Sequence, residues 1–280
     1  MMHEPVSLPG SACWLVPSGT DEPGLRVSLS FPTGTVVGPV PVLVLLDGDF
    51  LFLTATEFAR TVNLVSLGVF PPVAVVGVMR DETDPLRYVS SRFRDFTPRS
   101  WVLPGPFADD NAMTWMGMGG APRLVSSLEH DVLPVVREYL TSQDLVMGDT
   151  AIGGWSLSGL FACWAWRERP DLFAHLLAIS PSLWWDDASM LRDPIPTRSG
   201  EHRVFVCSGE HEEGDVSKVY PQIFANGPQR ELAAMVRNAE TFAGMVRRSG
   251  ADVDDTTFAG EHHITVQSAA LARGMRHIFR

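Results

Sequence analysis

Short runs of β-branched and aliphatic residues alternate with longer stretches of helical period along most of the chain, and this alternation limits the folds open to it. Leu25 to Phe31, Val40 to Leu46 and Val73 to Met79 read as strands. The second is nearly continuous in apolar residues, as a strand covered on both faces should be. Further strands are predicted at Thr150 to Trp155, Leu176 to Ser180, Arg203 to Ser208 and Asp255 to Ala259. Helices are predicted at Phe52 to Leu67, Ala121 to Leu140, Leu157 to Glu168, Gln229 to Ser249 and Val266 to Phe279. Pro134 must kink the second of these or start a new turn. In the fourth, Leu232, Met235, Val236, Ala239, Phe242, Ala243 and Val246 share one face and Gly250 closes it. Strands alternating with helices in this way argue for a mostly parallel central sheet with helices on both faces.

A length of 280 residues is within the range of one α/β domain, so residues 1–280 are expected to share one core. The longest irregular stretch runs from Arg80 to Gly120 and is a candidate lid or loop insertion, since loops of that length inside a domain are usually functional. It carries Met113, Trp115, Met116 and Met118 among glycines, and Trp115 and Met116 are candidates for an adaptable substrate-binding wall. No segment approaches the roughly 18 apolar residues that cross a bilayer. Met1 to Gly10 shows no basic start followed by an apolar run, and a cytoplasmic location is expected. Twenty-two basic residues against 33 acidic ones give a net charge of −11, without a block of Lys or Arg to offset it. Nucleic acid and anionic membranes are poor partners for such a surface, which leaves a small molecule as the expected partner and the oligomeric state open. Cys13, Cys163 and Cys207 are isolated, and form neither a metal pair nor a disulfide framework.

The sharpest local signal is Ile152-Gly153-Gly154-Trp155-Ser156-Leu157-Ser158-Gly159. An apolar strand runs into Ser156 and a helix leaves at once, the context of a nucleophile elbow with its serine raised above the sheet edge. The usual pattern is G-x-S-x-G; Ser158 stands at the second glycine and is small enough for the close approach. The Leu157 N–H, at the helix start, points where an oxyanion would develop. A plain helix N-cap is the bland alternative for Ser156.

A serine nucleophile needs a base, which in elbow enzymes follows the last strand, after the acid. Gly260-Glu261-His262-His263 occupies that place, with His263 preferred as base and His262 as a pocket-lining neighbour. The acid should follow Val204-Phe205-Val206-Cys207; Glu210 and Glu212 are both candidates, and Glu212 is preferred. A metal site on Glu210, His211 and Glu212 lacks the second histidine that a zinc-protease helix supplies. A second oxyanion donor is expected from Leu46-Asp47-Gly48-Asp49-Phe50, through the amide of Asp49 or Phe50, with Gly48 permitting the sharp turn.

These segments, together with Arg94-Asp95-Phe96-Thr97-Pro98, Leu128-Glu129-His130-Asp131-Val132-Leu133-Pro134 and Ser180-Pro181-Ser182-Leu183-Trp184-Trp185, resemble the Putative esterase family of α/β-hydrolases. Its siderophore-esterase branch is the most similar. The resemblance spans residues 45 to 263 and implies an α/β-hydrolase fold, Ser156 as nucleophile, His263 as base and Glu212 as acid. It also implies that Arg94 lies near the site. Some siderophore relatives run on a Ser–His dyad, and the Glu-rich stretch from Glu210 to Glu213 leaves the acid's alignment open. Trp184 and Trp185, after the strand that follows the elbow helix, are placed to stack on an aryl or macrocyclic substrate, the alternative being that one of them is core. The function so implied is hydrolysis of carboxylic esters or lactones through an acyl-enzyme, without a cofactor or metal. Acyl transfer on the same site and a non-catalytic binding protein are the alternatives.

Overall fold

The alternation of the sequence is realised as one eight-stranded sheet. The computed structural model describes residues 7–18, 22–33, 36–66, 68–101, 117–213 and 234–280. Its strands are β1 (Ser11–Val16), β2 (Leu25–Ser30), β3 (Val40–Leu46), β4 (Ala74–Arg80), β5 (Met147–Trp155), β6 (His175–Ile179), β7 (Arg203–Gly209) and β8 (Asp252–Phe258). They lie in the order β1-β2-β4-β3-β5-β6-β7-β8. The β1–β2 and β2–β4 pairs are antiparallel, and all pairs from β4 onward are parallel.

Alternate side chains of each strand point to opposite faces, and β3 is apolar at both. Val42, Val44 and Leu46 join Val76, Ile152 and Val206 on one face. That face is covered by α3 (Ala121–Ser127), α4 (Leu133–Ser142), α5 (Leu157–Glu168), the short α6 (Trp185–Ala188) and α7 (Met235–Arg248), through Leu124, Val136, Phe161, Trp185 and Phe242. Leu43 and Leu45 meet Val75, Ala151, Leu177 and Phe205 on the other face, under α1 (Gly48–Val65) and α8 (Val266–Ile278). None of the described helices is long and apolar enough to cross a membrane.

Three expectations change. Helix α1 begins at Gly48, not at Phe52, so the segment expected to be a loop is the first helical turn. The stretch from Arg80 to Gly120 is not irregular throughout: Arg80 ends β4, and Pro85–Phe96 form α2. Asp84 caps that helix by accepting the N–H groups of Leu86 and Arg87 at 3.0 and 2.9 Å, and Pro85 supplies its first turn. Residues 85–96 are therefore helix and not loop, while Met113, Trp115 and Met116 lie outside the described residues, as do Gln229 and Leu232. Strand β1 was not expected at all; it lies at the edge of the sheet with Cys13 and Leu15 exposed. Pro134 does interrupt its helix. A π-helical turn at Leu128–Val132 separates α3 from α4, the Leu133 N–H reaching Leu128 O five residues back.

Candidate active site

Strand β5 delivers Ser156 to the carboxyl edge of the sheet, where φ 61° and ψ −119° put it in a backbone region that side chains rarely adopt. Such strain is worth roughly 1–3 kcal/mol and persists only where neighbours over-determine it. Here the Ser156 N–H donates to Ile179 O at 3.0 Å, while Ser156 O accepts from the N–H groups of Leu160 and Ser182 at 2.9 and 3.0 Å. Strand and helix approach so closely that a Cβ on Gly154 would stand 2.4 Å from Ser158 O. The Ser156 hydroxyl is therefore held up at the sheet edge, with the Ser182 hydroxyl 3.4 Å away.

Strand β7 ends in a short 3₁₀ turn, Glu210–Glu212, which folds Glu212 back under the edge at 3% exposure. One of its carboxylate oxygens, Oε2, lies 2.6 Å from His263 Nδ1. The other, Oε1, accepts from the Gly209 N–H and the Ser180 hydroxyl, each at 2.6 Å. Ser180 itself has φ 40° at the end of β6, so a second serine is bent out of ordinary backbone space beside this pair. With the proton on Nδ1, Nε2 is the ring's basic nitrogen. Glu210 does different work: its Oε2 accepts the Gly260 N–H at 2.8 Å and braces the turn that leads to His263. His262 also serves the backbone, since its carbonyl accepts the N–H of Thr265 and of Val266 at the start of α8.

Trp155, the residue before the serine, clamps the histidine. Its Nε1–H donates to His263 O at 2.8 Å, and its ring stacks on the imidazole at 4.9 Å between centroids. The Phe50 ring packs edge-on against Trp155, 6.2 Å away.

At the end of β3, Asp47 takes the left-handed conformation, φ 55° and ψ 47°, that Gly48 was expected to supply. Asp tolerates that region better than most residues. Gly48 is needed for closeness instead, because a Cβ there would lie 2.9 Å from the backbone of Gly77. The Phe50 N–H donates to Asp47 O at 2.9 Å and is committed to the first turn of α1, so Asp49 is the remaining candidate of the expected pair. The Asp47 carboxylate, 1% exposed, receives Arg92 through two bonds of 2.8 Å, Ser158 Oγ at 2.6 Å and the Tyr88 hydroxyl at 3.3 Å. Burial, reinforced by the charge of Asp47, raises the Tyr88 pKa above its ordinary value and keeps the phenol a donor.

Two sequence candidates are engaged within the protein. Arg94 is tied to Asp95 by bonds of 2.8 and 3.1 Å and to Glu22 at 3.2 Å. Burial pushes the Asp95 carboxyl up, but hydrogen bonds from Arg94 and Arg80 outweigh it and hold the group below the usual carboxylate range. Trp185, 1% exposed, is core, packed against Trp101 and Phe93; Trp184 beside it is half-buried. Trp155, Asp47, Ser180 and Ser182 stood inside the matched sequence segments without a role of their own, Ser158 stood out only as a small residue at the usual glycine, and Arg92 gave no signal. Among the described residues no group of three His, Cys, Asp or Glu is placed to hold a metal ion.

Known proteins share this arrangement of strands. The chain is 28% identical to the siderophore triacetylfusarinine C esterase of Aspergillus fumigatus, over 98% of its own length and 95% of the relative's. It is 26% identical to the ferri-bacillibactin esterase BesA of Bacillus subtilis, over 96% and 90%. The siderophore hydrolase EstA of Aspergillus nidulans superposes with a TM-score of 0.77 over 99% of this chain and 97% of that one; at 23% identity, this likeness concerns the fold, the α/β-hydrolase fold. The Esterase family model, described as Putative esterase, matches residues 21–278, which takes in every strand from β2 to β8 and the whole sheet edge just described. The chain belongs to the Putative esterase family and is a carboxylic ester hydrolase.

Proposed function

We propose that the chain opens esters or lactones of siderophore type through an acyl-enzyme on Ser156, with His263 as base and Glu212 as the acid that orients it. The observation that carries this reading is the 2.6 Å bond from Glu212 to His263 Nδ1, at the same sheet edge as a serine held in strained backbone. His263 Nε2 takes the Ser156 proton as Oγ attacks the carbonyl carbon. The tetrahedral oxyanion accepts from the amides of Leu157 and Asp49. As the C–O bond breaks, His263 returns the proton to the departing alkoxide oxygen and the acyl group stays on Ser156. Water, deprotonated by His263, then attacks the acyl carbon, and the carboxylic acid leaves as Oγ regains its proton. Glu212 stays ionised and offsets the imidazolium charge in each half.

The substrate class rests on the two relatives named for siderophore esters and on their near-full-length match. Trp184, Trp115 and Met116 belong to the proposal as an apolar wall for such a ligand. So does the reading of residues 1–280 as a single domain acting in the cytoplasm on a small molecule. The test is hydrolysis by wild type and Ser156→Ala of a siderophore macrolactone, an aryl ester and a short acyl ester. Wild type should favour the macrolactone, and folded Ser156→Ala should lose turnover by several orders of magnitude. A serine-directed phosphonate should add its mass to the peptide containing Ser156. Near-wild-type turnover by the folded variant would rule out Ser156 as nucleophile.

A further inference from the structure

Resting on the reading of Ser156 as nucleophile, we propose that Asp47 and Ser158 are positioning residues that fix the distance between the two oxyanion donors. Each donor amide belongs to a different element: Leu157 opens α5, and Asp49 is in the first turn of α1. Backbone pairing of β3 with β5 stops at Leu45 and Gly153, short of both donors. Beyond that point the Asp47–Ser158 bond, 2.6 Å and buried, joins the two segments side chain to side chain.

The Ser158 hydroxyl has one hydrogen and two acceptors in reach, Asp47 Oδ2 at 2.6 Å and Trp155 O at 2.8 Å. The ionised oxygen is the nearer and the stronger partner. Ser158 Oγ in turn accepts the Trp155 N–H at 2.8 Å, so the elbow's entry is tied through Ser158 to Asp47. Asp47 is anchored from its other side by the Arg92 fork from α2. Its own carbonyl accepts the Phe50 N–H, which sets the turn that presents Asp49. The serine at 158, where the elbow pattern has glycine, thus has a use that glycine has no atoms to perform. Oxyanion donors act only when fixed in advance, and a shift of about 1 Å costs around a hundredfold in rate.

Ser158→Ala removes the hydroxyl and leaves the helix former in place, which makes it the primary test; Asp47→Asn and the double variant complete a cycle. Turnover, KM and affinity for a trifluoromethyl ketone, which forms a hemiketal oxyanion on the serine, are measured on protein shown folded by its melt. Ser158→Ala should lower kcat about 10- to 100-fold with KM within about twofold. Ketone affinity should fall by the same factor. The double variant should be no worse than Asp47→Asn alone, because both break one link. Wild-type kcat and ketone affinity in folded Ser158→Ala would overturn the proposal, as would additive losses in the cycle. Turnover surviving in Ser156→Ala sinks the serine reading itself, a separate result.

Discussion

Glu212 keeps one oxygen for His263 and gives the other to two donors, so any change there is felt through the imidazole. Glu212→Gln should lower kcat about 10²- to 10⁴-fold with little change in KM, because an amide can hold the ring in the wrong tautomer. Glu210→Gln, which loses only a brace to Gly260, should stay within about threefold, and steady-state kinetics of the two variants check the contrast. Equal effects would remove Glu212 from its role. Trp155→Phe keeps an aromatic ring over the imidazole but loses the bond to His263 O, worth about 1 kcal/mol. It should lower turnover several-fold while aryl and acyl esters keep their ranking. A reversed ranking would make Trp155 a substrate contact instead. Ser156, His263 and Glu212 were legible in the sequence as candidates because each follows the end of a strand, in the order that elbow enzymes follow. Their supports were not legible, since each is defined by a distant partner: Trp155 by one 108 residues away, Asp47 by one 111 away, Ser180 by one 32 away.

At the level of elements, the strand-to-helix turn at the elbow has no slack. An added Cβ at Gly154 meets Ser158 backbone at 2.4 and 2.5 Å, so Gly154→Ala must lift α5 off β5. The expected result is a destabilisation of about 1–3 kcal/mol, read in a thermal melt, together with a large loss of turnover. A variant as stable and active as wild type would show that the turn can widen without harm. The central strands were legible because full burial leaves runs of Val, Leu and Ala that need no alternation. Strand β1 was hidden for the opposite reason. Its Ala-Cys-Trp-Leu-Val run is apolar at both alternating sets although one set is exposed, so the pattern carried no face. Helix α2 lay concealed in a polar stretch, its Tyr88, Arg92, Arg94 and Asp95 held by ion pairs and hydrogen bonds that periodicity does not weigh.

Across the whole molecule, buried histidines away from the proposed site contribute to the response to acid. His175 opens β6 at the opposite end of that strand from Ser180, and its Nδ1 accepts the Arg203 N–H at 3.1 Å. Burial, with the nearby Arg203 charge adding to it, lowers its pKa to about 4. His277 in α8 is shifted the same way, again chiefly by burial. A histidine with a depressed folded pKa contributes stability that is complete above the unfolded value of about 6.5, and that stability is lost as pH falls toward the folded value. For His175 this stability amounts to about 1–3 kcal/mol, since solvent still reaches part of the ring's surroundings. Carboxylates such as Asp95, held below the usual range by Arg94 and Arg80, act in a lower window, losing their contribution only under about pH 4. The unfolding free energy should therefore begin to fall near pH 6.5, well before carboxylates titrate. Denaturant melts of wild type and His175→Gln between pH 7.5 and about 4.5 separate the two causes. The glutamine variant, with nothing to protonate at that position, should lose clearly less stability over this range. Parallel decline in both proteins would place the acid sensitivity elsewhere in the fold.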